Sequence, residues 1–222
     1  MKPFSKEYFE GGKQSNYRSY KNWEKVIRGI YFSEVLKNVN VRGARVLDIG
    51  CAYGYFLKCC DEIGCETYGI DISEYAINQA KKETNAKLFV HDVDKGLPMF
   101  EDDSFDLVTM FDVIEHLHSP YFVLKEIYRV LKVSGKIIIT TPNLNAIDRF
   151  LKKVLRKEKT WHGFRDKTHL YLFTPSSLRF LVERVGFKVV KLETPFHPLL
   201  KPLQKIVNKT GLGGQIWLVG EK

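Results

Sequence analysis

The sequence is poor in cysteine, and its four cysteines are Cys51, Cys59, Cys60 and Cys65. They lie within 15 residues of one another, and no second pair or histidine follows at a spacing that closes a zinc site. This pattern excludes a structural zinc site and a disulfide framework. We expect reduced thiols, as is typical of a cytoplasmic protein.

Long hydrophobic runs are also missing. No stretch approaches the roughly 20 apolar residues that span a bilayer, and the first residues, MKPFSKEYFE, lack the apolar segment of a signal peptide. We therefore expect a soluble, cytoplasmic protein that is at most peripheral to a membrane. Internal repeats and low-complexity tracts are absent too, which favours a single domain.

Acidic side chains are scarce only in the last part of the chain. Residues 1–140 hold 19 basic and 20 acidic side chains, whereas residues 141–222 hold 16 and 6. The net charge of +9 therefore belongs to the last 82 residues. This distribution indicates a neutral core with one positive face and does not favour a chain that binds nucleic acid throughout.

From residue 41 onward, short β-branched runs alternate with amphipathic stretches, a pattern typical of a parallel sheet with crossover helices. Seven runs read as strands: 45–50, 66–72, 87–92, 105–112, 136–142, 187–193 and 215–221. Helix-start signals occur at Ser73, Ser119-Pro120 and Thr174-Pro175, and Gly186 is a stop signal. The order predicts an α/β fold with a doubly wound, mostly parallel seven-stranded sheet.

One domain with four parts is predicted by this order of segments. N-terminal helices occupy residues 1–40, and a ligand-binding core occupies residues 41–142. Residues 143–173 interrupt the alternation of strands and helices and read as a helical lid insertion. A C-terminal helix and a strand hairpin occupy residues 174–222.

The carboxyl ends of the first four strands carry the candidate site, because ligands of open parallel sheets bind there. The first strand runs into the small-residue turn 48–54, DIGCAYG, and the next three end at or near Asp71, Asp92 and Asp112. The dinucleotide fingerprint G-x-G-x-x-G is absent, and the carboxylate of Asp48 disfavours a pyrophosphate. The turn favours a ligand with a positive centre and an amino group, such as S-adenosylmethionine.

Five motifs, in order, resemble those of class I S-adenosylmethionine-dependent methyltransferases, in particular the ubiquinone and menaquinone biosynthesis subgroup. They are VLDIGCAYGYF (46–56), YGIDIS (68–73), HDVD (91–94), FDLVTMFDVIEHL (105–117) and THLYLFTPSSLRFLVERVGF (168–187). The resemblance implies a Rossmann-like methyltransferase fold and an enzyme that releases S-adenosylhomocysteine. Ala52 departs from the family, whose loop more often has a second glycine.

The resemblance also implies a set of cofactor-binding residues, namely Asp48, Gly50, Cys51, Ala52, Gly54, Asp71, Ile72, Asp92, Val93 and Phe111. The turn would line the methionine part, and Asp71 would accept hydrogen bonds from both ribose hydroxyls. Asp92 would meet the adenine amino group, and Phe111 would border the sulfonium. For each carboxylate the alternative is a helix cap or a turn. Tyr17 and Tyr20 resemble N-terminal residues that close over the cofactor in relatives, with core packing as the alternative.

Two histidines are the candidate catalytic residues. A hydroxyl or carbon acceptor must lose a proton, and His116, just beyond the fourth strand, carries an imidazole suited to this at neutral pH. His169 is the second candidate, since THLYLFT (168–174) resembles a family segment that borders the acceptor pocket. The alternatives are a helix-start histidine bonded to the backbone for His116 and a surface histidine for His169.

A metal site is a further candidate at Asp112-x-x-Glu115-His116. The pattern resembles an E-x-x-E-H cluster that is associated with a divalent ion in some quinone O-methyltransferases, and such ligands suit Mg²⁺ or Mn²⁺. However, Asp112 has a shorter reach than glutamate, and many family members share the E-H pair without a metal. We therefore expect no metal.

The insertion contains a basic amphipathic stretch. Residues 149–167 hold eight basic and two acidic side chains, and apolar side chains recur there at helical spacing. One interpretation is a lid helix over the pocket. The other is contact with anionic lipid, or with a phosphorylated, lipid-linked acceptor at a membrane surface. A nucleic-acid acceptor is not favoured, because no RNA-binding module or N-P-P-[YF] motif is present.

The sequence thus predicts a methyltransferase that acts on a small-molecule or lipid-linked acceptor, at oxygen. The basic stretch 149–167 would suit an anionic acceptor. Two alternatives stay open: an oxidoreductase with a nicotinamide cofactor, which the glycine spacing disfavours, and a non-catalytic cofactor-binding protein.

Overall fold

The computed structural model describes residues 4–11, 17, 19–146, 166–195 and 211–222. The helices in these ranges are α1 (Lys6–Phe9), α2 (Glu24–Val26), α3 (Phe32–Asn38), α4 (Tyr55–Asp61), α5 (Glu74–Ala80), α6 (Pro120–Val130) and α7 (Pro175–Val185). Single turns of 3₁₀-helix lie at Tyr20–Trp23, Val93–Lys95 and Ile114–His116, and a π-helical turn lies at Ile27–Tyr31. Within the described ranges, none of the helices is both long enough and apolar enough to pass through a bilayer.

Seven strands form one sheet: β1 (Arg45–Ile49), β2 (Glu66–Asp71), β3 (Lys87–Val90), β4 (Phe105–Phe111), β5 (Leu131–Pro142), β6 (Lys188–Glu193) and β7 (Gln215–Glu221). Their order across the sheet is β3-β2-β1-β4-β5-β7-β6. The first five strands pair in parallel, and β7 runs antiparallel to β5 and β6. The predicted doubly wound, mostly parallel seven-stranded sheet is therefore confirmed.

The central strands are apolar on both faces, because helices cover both sides of a parallel sheet. Two predicted ends nevertheless differ from the structure. β3 ends at Val90, so His91 lies outside the strand with its Nε2 2.9 Å from the carbonyl oxygen of Gly96. The strand predicted at 136–142 begins earlier, as β5 at Leu131, because Leu131 has extended backbone angles and pairs with β4, and helix α6 therefore ends at Val130.

The helix boundaries follow the predicted capping signals in most places. The hydroxyl of Ser73 accepts a hydrogen bond from the Ala76 N–H at 3.2 Å at the start of α5. Thr174 forms a capping box at the start of α7, which ends at Val185 with Gly186 as its C-cap residue. Ser119 precedes α6 but its side chain makes no capping hydrogen bond. Of the predicted Ser119-Pro120 start signal, only the proline at the first helical position is present in the structure.

In the N-terminal region, where helices are predicted over residues 1–40, one helical segment is continuous from Tyr20 to Asn38. It passes from a 3₁₀ turn through α2 and the π-helical turn into α3. Arg28, in the π-helical turn, forms a bidentate ion pair with Glu62 at 2.7 and 2.8 Å. Helix α1 and this segment bring aromatic rings to the carboxyl ends of β1 and β4.

The four cysteines are free thiols, and Cys51, Cys59 and Cys60 are buried. The division of the chain at 1–40, 41–142, 143–173 and 174–222 stays a prediction. Most of the basic stretch 149–167 lies outside the described residues, which resume at Asp166.

Candidate active site

The turn after β1 takes left-handed backbone conformations at three positions. The angle φ is +73° at Gly50, +47° at Ala52 and +75° at Gly54. A Cβ atom on Gly50 would lie 2.2 Å from Cγ2 of Val113, so only glycine fits there. The left-handed conformation of Ala52 gives a physical reason why the resembling enzymes more often have glycine at this position.

Asp71, at the end of β2, links this turn to the start of α5. Its Oδ2 accepts a hydrogen bond from the Ala52 N–H at 2.9 Å, and its Oδ1 accepts one from the Ser73 N–H at 2.8 Å. Burial raises the pKa of Asp71 to about 6, although the two N–H groups favour its charge. Each oxygen keeps a second lone pair, so the carboxylate can also accept hydrogen bonds from a ligand.

Asp48 lies at the end of β1, beside β4. Its Oδ1 accepts a hydrogen bond from the Thr109 hydroxyl at 2.7 Å. Burial, with a smaller effect from the charge of Asp71, raises the pKa of Asp48 to about 7, although the hydrogen bond from Thr109 opposes the shift. A positively charged ligand would favour the ionised form of this carboxylate.

Asp92 follows β3 and caps a turn, which is the alternative to a role in cofactor binding. Its Oδ1 accepts a hydrogen bond from the Asp94 N–H at 3.1 Å, and its Oδ2 lies 3.7 Å from Nζ of Lys95. Val93 is buried, whereas Ile72 is about half exposed. The predicted adenine contacts of these residues stay predictions.

A small pocket opens at the carboxyl ends of β1 and β4. Its polar lining includes Asp48, Asp112 and the backbone of Gly50, and Phe111 lies beside them. The remaining lining residues are Tyr17, Tyr20, Trp23, Ile27, Tyr31, Cys51 and Phe56. Aromatic faces and carboxylates attract cations, so the donor set fits a sulfonium ligand. The predicted residues Asp48, Gly50, Cys51 and Phe111 thus meet around one pocket, with Tyr17 and Tyr20.

Asp112 lies between this pocket and a second polar cluster, which consists of Glu115, His116 and His169. It has a left-handed φ of +54°, and Nε2 of Gln215 donates to its two carboxylate oxygens at 2.8 and 3.0 Å. The hydroxyls of Tyr31 and Thr140 each donate to the same carboxylate at 3.2 Å. Burial raises the pKa of Asp112, and these donors oppose the shift.

Glu115 lies in the second cluster and is 1% exposed. Its Oε2 accepts a hydrogen bond from the Thr141 hydroxyl at 2.9 Å, whereas its buried Oε1 has no partner among the described residues. Its backbone oxygen accepts hydrogen bonds from the N–H groups of Leu170 and Tyr171 at 2.8 and 3.1 Å. Burial, followed by the charge of Asp112, raises the pKa of Glu115 well above its ordinary value.

The two candidate catalytic histidines lie side by side, with ring centroids 4.7 Å apart. Nδ1 of His116 donates to the Thr168 carbonyl oxygen at 3.1 Å, and burial lowers the pKa of His116 to about 4. The buried Nδ1 of His169 has no partner among the described residues. His116 therefore lies just beyond the fourth strand, as predicted for a catalytic residue. It also forms the backbone hydrogen bond that is expected of a purely structural histidine. Neither histidine's catalytic role is tested by this arrangement.

The predicted metal-binding pattern is rearranged in space. The carboxylate oxygens of Asp112 are occupied by Tyr31, Thr140 and Gln215, so this side chain is not free to turn toward a metal. Instead, Glu115, His116 and His169 each present one ligand atom, and these three atoms lie within 4.8 Å of one another. The expectation that no metal is used stays a prediction.

Five carboxylates surround the pocket and the second cluster: Asp48, Asp71, Asp112, Glu115 and Asp166. Four of them are buried, all except Asp112. In the part of the chain that the structure describes, every Lys or Arg ion pair involves other acids. A ligand with a positive centre would be favoured here, because it would stabilise the ionised forms of these carboxyl groups.

Sequence reasoning missed Tyr31 and Gln215, which hold Asp112. No local motif marks them, since they lie 81 and 103 residues from their partner. The alternation of apolar and polar residues in β7 places Gln215 at the end of that strand, but it does not indicate that Gln215 lies next to Asp112.

A family model described as a methyltransferase domain matches residues 23–192, about three quarters of the chain. The chain is similar to the ubiquinone biosynthesis O-methyltransferase of Coxiella burnetii, with 24% identity over 180 residues that cover 78% of this chain and 76% of that protein. The protein of the same name from Burkholderia thailandensis is 26% identical over 171 residues, which cover 74% of this chain and 73% of that one.

Among solved structures, the chain resembles a SAM-dependent methyltransferase from Archaeoglobus fulgidus. The TM-score is 0.68 at 24% identity, and the match covers 91% of this chain and 99% of that one. This likeness supports the fold that the strand order shows.

Proposed function

Because the chain belongs to the methyltransferase domain family and is an S-adenosylmethionine-dependent methyltransferase, we propose that it methylates a small-molecule or lipid-linked acceptor at oxygen. The family assignment confirms the resemblance drawn from the five motifs, and with it the prediction of an enzyme. It favours this activity over a nicotinamide-dependent oxidoreductase and over a non-catalytic binding protein.

The observation that carries the cofactor assignment is the pocket between Asp48, Gly50 and Phe111. S-adenosylmethionine supplies an electrophilic methyl group on a positively charged sulfur. Asp48 and the aromatic rings stabilise that positive charge in our proposal, and Gly50 lets the backbone approach it closely. Asp71 accepts hydrogen bonds from the ribose with its remaining lone pairs, and Asp92 faces the adenine.

The second cluster is the proposed acceptor side, because Asp112 lies between it and the pocket. Oxygen as the methylated atom is supported by the O-methyltransferase names of the curated relatives, at 24–26% identity. Loss of the hydroxyl proton then requires a base on this side of the site. His116 and His169, at the positions where the sequence predicts catalytic residues, line this cluster.

Calorimetric titration tests the cofactor assignment. We expect S-adenosylmethionine and S-adenosylhomocysteine to bind one per chain and NADH not to bind. Binding of NADH without binding of S-adenosylhomocysteine would overturn the proposal.

The methylated atom is tested separately. The protein is incubated with S-adenosylmethionine that carries a ¹³C-labelled methyl group and with a metabolite extract, and the products are examined by NMR. The methyl carbon shift distinguishes attachment to oxygen from attachment to nitrogen or carbon. We expect a methyl ether or ester, and products that are labelled only on nitrogen or carbon would contradict methylation at oxygen.

A lipid-linked acceptor and peripheral membrane contact are proposed from the basic charge of residues 149–167, which lie mostly outside the described residues. Flotation with anionic liposomes tests this contact. We expect the protein to float and a variant with Lys152, Lys153, Arg156 and Lys157 changed to glutamate to stay in solution. Equal partitioning of the two proteins would rule out this contact.

A further inference from the structure

Two of the four cysteines, Cys60 and Cys65, are brought together by the turn that ends helix α4. The Cys65 N–H donates to the Cys60 carbonyl oxygen at 3.1 Å, and the Gly64 N–H donates to the Asp61 carbonyl oxygen at 3.0 Å. Gly64 has a left-handed φ of +82°. These two bonds and the left-handed glycine form a Schellman motif, in which the side chains at the positions of Cys60 and Cys65 commonly contact each other.

The two side chains meet as the motif predicts. A hydrogen bond links the two thiols, and Cys65 packs against the apolar cluster that contains Cys60. Standard bond lengths and the 3.1 Å bond between the two backbones limit the distance between their Cα atoms to about 7 Å. A disulfide joins Cα atoms that lie roughly 4.4–6.8 Å apart. The folded backbone therefore already holds Cys60 and Cys65 at about the separation of a disulfide.

The four thiols differ in exposure and in acidity. Cys65 is partly exposed, whereas Cys51, Cys59 and Cys60 are buried. The hydrogen bond between the two paired thiols lowers the pKa of Cys65 and raises that of Cys60. Burial raises the pKa of Cys51 and of Cys59. Because the thiolate is the reactive form and must be accessible, Cys65 is the cysteine that reacts first.

Small molecules can approach Cys65 from an open groove at this end of α4. Its Sγ donates to the Val41 carbonyl oxygen at 2.9 Å. Val41 and Ile63 line the groove, which has a volume of about 450 Å³. A small disulfide that enters the groove therefore comes close to the sulfur of Cys65.

We propose that Cys60 and Cys65 form a redox-active pair: Cys65 reacts with a small-molecule disulfide, and Cys60 then closes a reversible disulfide with Cys65. An accessible thiol next to a second, resolving thiol is the arrangement that reversible oxidation requires. The pair lies beside the amino end of β2, whereas Asp71 lies at the carboxyl end of that strand. This modification site is therefore separate from the cofactor pocket, and it does not depend on the proposed function.

The oxidation takes place in two exchange steps. In the first, the Cys65 thiolate attacks one sulfur of the small disulfide, an S–S bond to Cys65 forms, and the old S–S bond breaks. The departing thiolate takes up the proton that Cys65 has lost. In the second, the Cys60 thiolate attacks Sγ of Cys65, and the second small thiol leaves with the proton of Cys60. The two cysteines together lose two electrons and two protons, and one small disulfide is reduced to two thiols.

Thiol mapping of the full chain tests the inference. The reduced protein is incubated with an excess of oxidised glutathione at neutral pH, acid stops the exchange, and the free thiols are alkylated in denaturant. Cleavage after Glu62 then separates Cys65 from Cys59 and Cys60, so that a disulfide to Cys65 joins two peptides in the mass spectrum. We expect this linked pair of peptides, with Cys51 still alkylated and without bound glutathione. Dithiothreitol should return all four thiols to the reduced form.

Matched variants show which cysteine closes the disulfide. Cys60→Ala removes the second thiol, so we expect glutathione to remain on Cys65, at about tenfold or more the level in the unchanged protein. Cys59→Ala makes the same change one residue earlier on α4, and we expect it to form the disulfide normally. In Cys65→Ala we expect Cys60 to stay reduced, because it is buried. Circular dichroism shows whether each variant is folded, and Cys60→Ser replaces Cys60→Ala if that variant is not.

The chain unfolded in guanidinium is the positive control for the reagent, because all four cysteines are then accessible. Three results would overturn the inference. The first is that Cys65 stays reduced in the folded protein while the unfolded chain reacts. The second is that glutathione remains on Cys65 in the unchanged protein. The third is that the disulfide to Cys65 is lost in Cys59→Ala and persists in Cys60→Ala, which would make Cys59 the partner.

Discussion

The two ends of the cleft are built over very different distances in the sequence. At the cofactor end, Asp71 bonds to the N–H groups of Ala52 and Ser73, which lie in turns next to their own strands. At the acceptor end, Asp112 is held by Tyr31 and Gln215, from opposite parts of the chain. The first end follows from local turn geometry, and the second exists only once the whole sheet has formed.

The charge of the side chains at the acceptor end differs from what the distribution of charge along the sequence indicates. The last 82 residues are strongly basic as a group, yet the acceptor end brings together three acids: Asp112 and Glu115, from the first 140 residues, and Asp166, from the last 82. The charge of a cleft depends only on the side chains that line it, whereas the net charge of a segment counts all of its charged side chains equally. The basic stretch 149–167 can therefore bear on where the protein binds without setting the charge around the reacting group.

The largest effect is expected at Gly50, on the locally built end. An alanine Cβ would lie 2.2 Å from Val113, so the turn must move. We expect Gly50→Ala to weaken S-adenosylhomocysteine binding more than about 100-fold, or roughly 3 kcal/mol, in calorimetry.

Gly64→Ala is the matched control for this change. Gly64 has a similar φ of +82°, but nothing lies within 4 Å of an added Cβ. Backbone strain alone should then lower stability by about 1 kcal/mol without changing affinity. Equal losses of affinity in both variants would show that the clash with Val113 is not the cause.

A smaller effect on the same end is expected for Asp71→Ala. The loss of charge-assisted hydrogen bonds to the ribose should weaken S-adenosylhomocysteine binding by about 1.5–3 kcal/mol. Asp61→Ala is the control, because Asp61 accepts hydrogen bonds from Thr67, Thr84 and Asn85, and none of these residues lines the pocket. That variant should lose stability but keep its affinity. Unchanged affinity in Asp71→Ala would remove Asp71 from the binding site.

How much the sequence predicts follows the same division. The sheet, the left-handed turn around Gly50 and the location of Asp71 could be predicted, because strand periodicity and small residues are local signals. The partners of Asp112 could not, since a single sequence does not say which distant side chains meet. His116 was a candidate because of its position after the fourth strand, and His169 because of motif resemblance. The contact between their rings, and the oxygen of Glu115 that has no partner among the described residues, required coordinates.

The pH dependence of stability compares the two ends directly. Burial raises the pKa of Asp48 to about 7 and of Asp71 to about 6, so folding favours their protonated forms. Their contribution to stability is therefore present at low pH and is lost as the pH rises through 6 to 7. The pKa of His116 is lowered to about 4, so its contribution is present above its ordinary pKa and is lost as the pH falls toward 4.

We therefore expect the melting temperature of the cofactor-free protein to rise by about 2–6 °C between pH 8 and pH 6, and then to level off or fall at lower pH. Glu115 and Asp112, whose pKa values are also raised, act in the same direction as Asp48. The variant Asp48→Asn should flatten the slope above pH 6. A melting temperature that increases from pH 6 to pH 8 would contradict the raised pKa values of these buried carboxyl groups.

The smallest expected effect is on stability at the acceptor end, where Glu115→Gln should stabilise the protein and a control substitution should destabilise it. One oxygen of the buried Glu115 carboxylate has no partner among the described residues, so an amide of the same shape should be less costly to bury. We expect Glu115→Gln to raise the stability of the cofactor-free protein by about 1 kcal/mol, measured by denaturant unfolding at neutral pH. Glu126→Gln should lower it instead, because Glu126 accepts hydrogen bonds from the Leu97 N–H and from Arg129. If both variants lose stability, Glu115 is held by the fold as firmly as Glu126. Opposite signs would mean that the folded chain alone does not compensate the cost of burying Glu115, as expected of a side chain that binds a ligand.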